Sequence, residues 1–365
     1  MSDIKVNNIQ SLSGSYGPVV SGIATMASVG AMTLPRGDTT YRGNRGRGIW
    51  GGGQISGMRN AIQYVTISTT GDAKDFGDLT LAMRAKAAAA SSTRALWAGG
   101  LNSTTIEYVT ISSTGNAFDF GDLSAESFYP SGAGDKTRAL FAGGYDAPNT
   151  FYKKIEYVTI ASKGNSSHFG YLHNGTEGAT GSSGGTEDVI RGGRTVMASC
   201  ASPTRAIFAG GNEGYNYPTT SVALNAIDYV NIQTLGNAFD FGDLLDGRTG
   251  PAGCSNSTRG VFAGGHTGPQ FNTADQTNVI AYITIASMGD AIDFGDLTQD
   301  RERFNGVSNQ IRGVFGGGHR GSPVTHVDTI DFVTIASLGN ATDFGDMIEA
   351  ASEQGGISDS HGGLG

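Results

Sequence analysis

Asp-Phe-Gly-Asp-Leu at Asp75–Leu79 returns at Asp119–Leu123, Asp240–Leu244 and Asp293–Leu297, and looser copies stand at His168–Leu172 and Asp343–Met347. Upstream of each copy lies an Ile-x-aromatic stretch, and before that an Arg-led apolar run ending in Gly-Gly. Six copies of one multi-strand unit announce a repeat architecture, and such units bury their faces only against their neighbours. The second copy reads most clearly. Lys86–Ser92 is small and apolar, Arg94–Trp97 with Ala98 is an apolar strand stopped by Gly99-Gly100, Thr105–Ser112 is β-branched and aromatic, and Ala117–Leu123 closes the unit. Four short strands in about 45 residues, separated by turn residues, predict a four-stranded antiparallel sheet. The turn before the last strand recurs as Gly71-Asp72, Gly115-Asn116, Gly164-Asn165, Gly236-Asn237, Gly289-Asp290 and Gly339-Asn340. Both residue types tolerate the positive φ of a tight two-residue hairpin, so both are expected to adopt it. Six such sheets set radially protect their edges as the blades of a propeller.

The ends predict how the ring closes. The first copy begins at Arg47 with a second strand and lacks a first one, whereas Ile348–Gly365 extends past the last copy. Gly356-Ile357-Ser358-Asp359 matches Gly306-Val307-Ser308-Asn309, so the tail is expected to pair with Arg47–Gly51 and seal two sheet edges. The expected architecture is all-β: a six-bladed propeller over residues 47–365, closed by a C-terminal strand, with an extended N-terminal arm at 1–46.

The repeat carries a resemblance. A small-residue strand, an apolar strand ending in Gly-Gly (Gly52-Gly53 through Gly317-Gly318), a third strand with Tyr64, Tyr108, Tyr157, Tyr229, Tyr282 or Phe332, and an aromatic fourth strand together resemble the kelch repeat. The fourth strand departs from it, with Phe76, Phe120, Phe169, Phe241, Phe294 and Phe344 where kelch repeats usually have Trp. A second similarity spans nearly the whole chain. Gly22-Ile23-Ala24-Thr25 leading to Gly30–Gly37, and the repeat text Thr329–Asp346, resemble tail-fibre and appendage proteins of marine bacteriophages. That resemblance implies a virion structural protein, assembled in the host cytoplasm, anchored by its arm and recognising a host surface or another virion protein. A capsid-decorating or tail-scaffold role is the nearest alternative. Kelch-like sugar-modifying enzymes, the copper-dependent oxidases and sialic-acid isomerases, form a remote one.

Composition agrees with a turn-dense β protein: 58 Gly, 9 Pro and 16% charged residues in 365. A net charge of −9 and a pI near 5.1 argue against non-specific nucleic-acid binding. Lys5, Arg36, Arg42, Arg45 and Arg47 against Asp3 and Asp38 leave residues 1–47 positive, suited to a linker lying on an acidic neighbour. The arm has too little apolar bulk to fold alone. No window approaches the roughly 20 apolar residues of a membrane helix, and Met1–Asn8 is too polar for a secretory signal. Cys200 and Cys254 each lie five residues before their repeat's Arg, where Ala89 and Ala133 stand elsewhere, and read as free core thiols.

Apparent catalytic motifs dissolve in register. Gly46–Gly51 spells a dinucleotide fingerprint but is a second strand without a βαβ context. Gly132–Thr137 ends like a phosphate loop, yet Asp135 replaces the required glycine, and Arg36-Gly37-Asp38 is a linker tripeptide. Arg47, Arg94, Arg138, Arg205, Arg259 and Arg312, with the fourth-strand aspartates, repeat once per blade and are expected to form strand-end ion pairs or turn hydrogen bonds. Blade three has His168 and Tyr171 in their place, followed by the insertion His173–Gly193. Individuality concentrates in the loops between second and third strands, which share a face with the connections between blades. Tyr145, Phe151, Tyr152, Tyr215, Tyr217, His266, Phe271 and His319 are the candidate binding residues there. Exposed aromatic rings, amides and hydroxyls suit contact with glycan or protein. No catalytic residue, metal or cofactor is expected. The expected partners are virion proteins through residues 1–46, a host glycan or surface protein, and a further copy of the chain, with no nucleic acid and no membrane insertion.

Overall fold

The computed structural model describes residues 46–146, 150–173, 193–214, 221–268, 275–321 and 323–365, together with the short antiparallel pair Val19–Val20 and Ala24–Thr25. The expectations for the rest of the arm, and most of the insertion after His173, fall outside the described residues.

Six four-stranded antiparallel sheets form the blades of a β-propeller. From the axis outward, blade 2 comprises Ala87–Ala90, Arg94–Ala98, Thr105–Thr110 and Phe118–Asp122. Blades 3 to 6 repeat this order from inner strands Ser131–Gly134, Ala198–Ala201, Ala252–Ser255 and Asn305–Ser308. Blade 1 takes its inner strand from the far end of the chain: Gly355–Ser358 pairs with Arg47–Gly51, with Ile357 opposite Ile49. The C-terminal strand therefore closes the ring.

The repeated phrase works between blades. In every outer strand the register shifts at the motif, so that Gln63 faces Asp75 and Ile62 faces Gly77, with Phe76 at the bulge between them. The bulge turns Phe76 into the core, where it is 2% exposed and meets Tyr64 edge-on. Gly77 has φ +144°, and a Cβ there would lie 2.5 Å from the Gly115 carbonyl of blade 2. Bare backbone is needed because the neighbouring turn docks on it. The Gly115 and Ala117 amides donate to Phe76 O and Asp78 O, both at 2.7 Å, and the Asn116 side chain accepts from Asp78 N at 3.1 Å.

This corrects the reading of the Gly-Asn turns. Only their glycines have positive φ; the Asn or Asp instead caps the outer strand of the preceding blade. Of the two roles expected of the strand-end arginines, turn hydrogen bonds are the one seen, since their partners are turn carbonyls and rings rather than aspartates. Arg94 Nη1 donates to Ile160 O of the next blade at 2.9 Å while its Cζ lies 4.9 Å from the Tyr108 ring centre. Arg47, Arg138, Arg205, Arg259 and Arg312 do the same to Ile111, Ile232, Ile285, Ile335 and Ile67, so the last blade clasps the first. Each clamp combines a charge-assisted hydrogen bond of about 1.5–3 kcal/mol with a ring contact of roughly 0.5–1 kcal/mol. The motif aspartates Asp75, Asp119, Asp240, Asp293 and Asp343 are exposed.

Candidate functional site

Blade-to-blade repetition is broken where the connectors turn down into the inner strands. One residue per blade, Glu353, Ala85, Tyr129, Val196, Gly250 and Arg303, has φ between 54° and 67°. The left-handed turn costs a non-glycine residue roughly 1–2 kcal/mol. All six adopt it because their backbones bond in a closed circle around the axis. Ala85 N donates to Glu353 O, Tyr129 N to Ala85 O, Val196 N to Tyr129 O, Gly250 N to Val196 O, Arg303 N to Gly250 O and Glu353 N to Arg303 O, at 2.8–3.3 Å.

Three members of this collar are inert, and three carry chemistry. Tyr129 of blade 3 and Arg303 of blade 6 reach across the axis from opposite sides, with Arg303 Nη1 donating to the Tyr129 hydroxyl at 2.7 Å. The Tyr129 hydroxyl in turn donates to Glu353. Glu353 also accepts from Arg303 at 2.6 Å and from Arg84 at 3.2 Å. Burial, then the nearby Glu353, pushes the Tyr129 phenol well above its usual range despite Arg303 and Arg84. Burial alone would pull the Arg303 guanidinium down, but Tyr129, Glu353 and Glu302 together hold it above its ordinary value. Around neutral pH the bar thus holds a neutral phenol between the Arg303 guanidinium and Glu353.

Beneath the bar, the inner strands surround an axial cavity lined by small residues such as Ala87, Ser131, Ser199 and Gly253. Its far end is stopped by the tail. Ser255, Ser308 and Ser358 each donate to the inner-strand carbonyl of the preceding blade, at Ala201, Ser255 and Ser308. Blades 2 and 3 have Ala90 and Gly134 at this level, and the tail fills the gap. His361 Nδ1 accepts from Gly363 N at 3.1 Å, which leaves the proton on Nε2 to meet Ala90 O at 2.8 Å. Gly363 packs against Gly134 O so closely that a Cβ would lie 2.0 Å away.

Of the candidate binding residues, Tyr145 and Phe151 come together near the axis. Their rings stack at 5.3 Å, and Phe128 links Tyr145 to Tyr129 with centroids 5.3 and 4.1 Å apart. Tyr152 lies under the Lys154 ammonium at 4.6 Å. The exposure expected of these loop tips is corrected. Phe151, Tyr152, His266 and His319 are all at most 8% exposed: His266 and His319 bridge to the connector entering their own blade, and Gly193 and Arg194 of the connector into blade 4 lie against Phe151 and Tyr152. Tyr215, Tyr217 and Phe271 lie outside the described residues.

His266 bridges Thr249 and Gln276, and His319 pairs with Glu302. His319 Nε2 lies 3.3 Å from Glu302 Oε1, and Gln276 donates to the same oxygen at 3.1 Å. Burial alone would raise the Glu302 carboxyl; hydrogen bonds from His319 and Gln276 and the Arg303 charge hold it below its usual value. No cluster of three or more metal-ligating side chains occurs among the described residues. Sequence reading missed Arg84, Tyr129, Arg303 and Glu353. The available signal was their register, since Tyr129, Arg303 and Glu353 stand where other blades have Ala85, Val196 and Gly250. No protein-family model matches this chain and no curated protein matches it in sequence.

Proposed function

We propose that this chain is a non-enzymatic recognition propeller of a virion appendage, attached through residues 1–46 and using the loop face to contact a host surface or another virion protein. The single observation that carries the recognition half is where symmetry fails. The charged residues of the second strands serve the same contact between blades six times over, whereas the loop face differs from blade to blade in its aromatic and polar residues. A ring closed by its own C-terminal strand is a rigid platform, and rigid presentation lowers the ordering cost of binding. The virion half rests on the resemblance of Gly22–Gly37 and Thr329–Asp346 to phage appendage proteins. The non-enzymatic reading is supported by the bar: its phenol is held protonated and its carboxylate is engaged by two arginines.

The contact falls to the half-buried Tyr145 and to Tyr215, Tyr217 and Phe271, rather than to the buried Phe151, Tyr152, His266 and His319. Replacing Tyr215, Tyr217 and Phe271 together with Ser is expected to leave thermal melting unchanged and to weaken adsorption of particles to host cells at least tenfold. Hot-spot aromatics each typically contribute about 2 kcal/mol or more. Deleting residues 1–46 is expected to abolish incorporation into particles while circular dichroism of the propeller persists. Full adsorption by the triple variant would turn the reading to capsid decoration or tail scaffolding; incorporation without the arm would remove the virion anchor.

A further inference from the structure

A second break in the repetition lies at the blade junctions, away from the axis. The third strand carries a buried polar side chain at one equivalent position: Gln63, Glu107, Glu156, Asp228 and Asp331 in blades 1, 2, 3, 4 and 6. These side chains receive the connector arriving from the preceding blade. Thr80 N donates to Glu107 at 2.7 Å, Ser124 N to Glu156 at 3.0 Å, His173 N to Asp228 at 3.0 Å and Ile348 N to Gln63 at 2.9 Å, while the Thr298 hydroxyl donates to Asp331 at 2.6 Å. The four acids also hold a buried cation each, Lys86, Lys154, Arg194 and Arg301.

Blade 5 has Ala281 at this position but keeps the cation. The Arg248 side chain is 0% exposed and sits as its counterparts do. Its Nη1 donates to Val279 O at 2.8 Å, as Arg194 does to Ala226 O at 3.0 Å and Arg301 to Thr329 O at 2.9 Å. In those two blades Nη2 meets the Asp228 or Asp331 carboxylate. Arg248 Nη2 reaches instead to Asp246 at 3.5 Å, a side chain 57% exposed to water. The connector residue Leu245, counterpart of Thr80, Ser124 and His173, likewise finds no carboxylate at position 281. Burial pulls the guanidinium below its ordinary value, with Asp246 and then Asp293 opposing. A buried charge whose one counter-ion is distant at 3.5 Å and itself solvated is a costly arrangement in a folded protein.

We propose that blade 5 binds a small monovalent anion of carboxylate type between Arg248 Nη2 and the Leu245 amide, in the place that a side-chain carboxylate occupies in four other blades. Formate is the matching probe, because one of its oxygens can accept from both the guanidinium and the amide as Asp228 Oδ2 accepts from Arg194 and His173. Saturable stabilisation then follows from mass action on the folded state.

The test compares thermal melting of the full chain and its Ala281→Asp variant over a sodium formate series at constant ionic strength, so that general salt effects cancel. The wild type is expected to rise saturably by about 2 °C or more. Ala281→Asp is expected to start higher and lose the saturable response, Ala281→Asn to start no higher, and Asp246→Asn to depend on formate more steeply. Should Ala281→Asp fail to fold, calorimetric titration of formate into the wild type and into Arg248→Gln decides: heat in the first and none in the second supports the site. Equal responses of wild type and Ala281→Asp overturn the proposal. So does an Asp246→Asn variant destabilised equally at every formate concentration, which would make Asp246 the counter-ion, and so does binding that survives Arg248→Gln.

Discussion

Gly121 shows how one residue joins two blades. Its φ is +153°, and an added Cβ would lie 2.3 Å from the Gly164 carbonyl oxygen of blade 3. Gly121→Ala therefore meets both backbone strain and a clash with main chain that no rotamer relieves. The expected loss is about 2–4 kcal/mol, read from chemical unfolding. Gly115→Ala, at φ +153° but with open space around it, isolates the strain and is expected to lose about 1 kcal/mol. Equal losses would show that blade docking contributes nothing at this position. The cysteines illustrate a different compensation. A Cβ on Gly260 would lie 2.7 Å from Cys200 Sγ, and one on Gly313 would lie 2.6 Å from Cys254 Sγ. A larger inner-strand residue thus answers a glycine on the next blade, whereas Ala89 and Ala133 pack against Ala139 and Ala206. Both thiols are free, and burial pushes that of Cys200 up to about 12, so they act as apolar volume at neutral pH.

Among the elements, the tail carries two separable duties. Gly355–Ser358 closes blade 1, its Gly355 carbonyl accepts from the Trp97 indole at 2.9 Å, and Ile357 packs into the cluster with Ile49 and Trp97. Removing Gly355–Gly365 bares the second strand of blade 1 and is expected to cost more than about 4 kcal/mol, with loss of a single melting transition. His361–Gly365 is the stopper. Burial, opposed by the bond to Ala90 and by Asp135, lowers the pKa of His361 below its ordinary 6.5. A lowered histidine pKa favours the folded state above pH 6.5, and this contribution is lost as pH falls through the folded value. His361→Ala is therefore expected to be less stable than the wild type at pH 7.5, with the gap closing toward pH 5 in urea midpoints. A gap that widened on acidification would assign His361 a charged role.

At the scale of the whole molecule, the collar couples blades distant in sequence. Tyr129, Arg303 and Glu353 come from blades 3, 6 and 1, and their mutual bonds cross the axis. Groups in one buried network are non-additive by about 0.5–3 kcal/mol. A cycle of Tyr129→Phe, Glu353→Gln and the double variant is expected to show coupling above about 1 kcal/mol in denaturant unfolding. Additive losses would mean that the bar is an incidental contact.

What the sequence determined by itself was everything expressed as a period. Asp-Phe-Gly-Asp, Gly-Gly and the Ile-x-aromatic strand repeat because each blade solves the same local problem, and the match of Gly356–Asp359 to Gly306–Asn309 was enough to forecast closure. Only the tertiary structure decided the partners. That Arg94 reaches Ile160, that Asn116 caps Asp78, and that Tyr129, Arg303 and Glu353 meet depends on the angle between neighbouring blades and the radius of the ring. The same holds for the loop aromatics: Phe151 and Tyr152 look like exposed tips in one dimension, yet the fold covers them with a connector. Periodicity reports which face of a strand is buried, because that follows from its own pleat. The identity of a neighbour contributed from 38 to 274 residues away is set by packing, which no local pattern encodes.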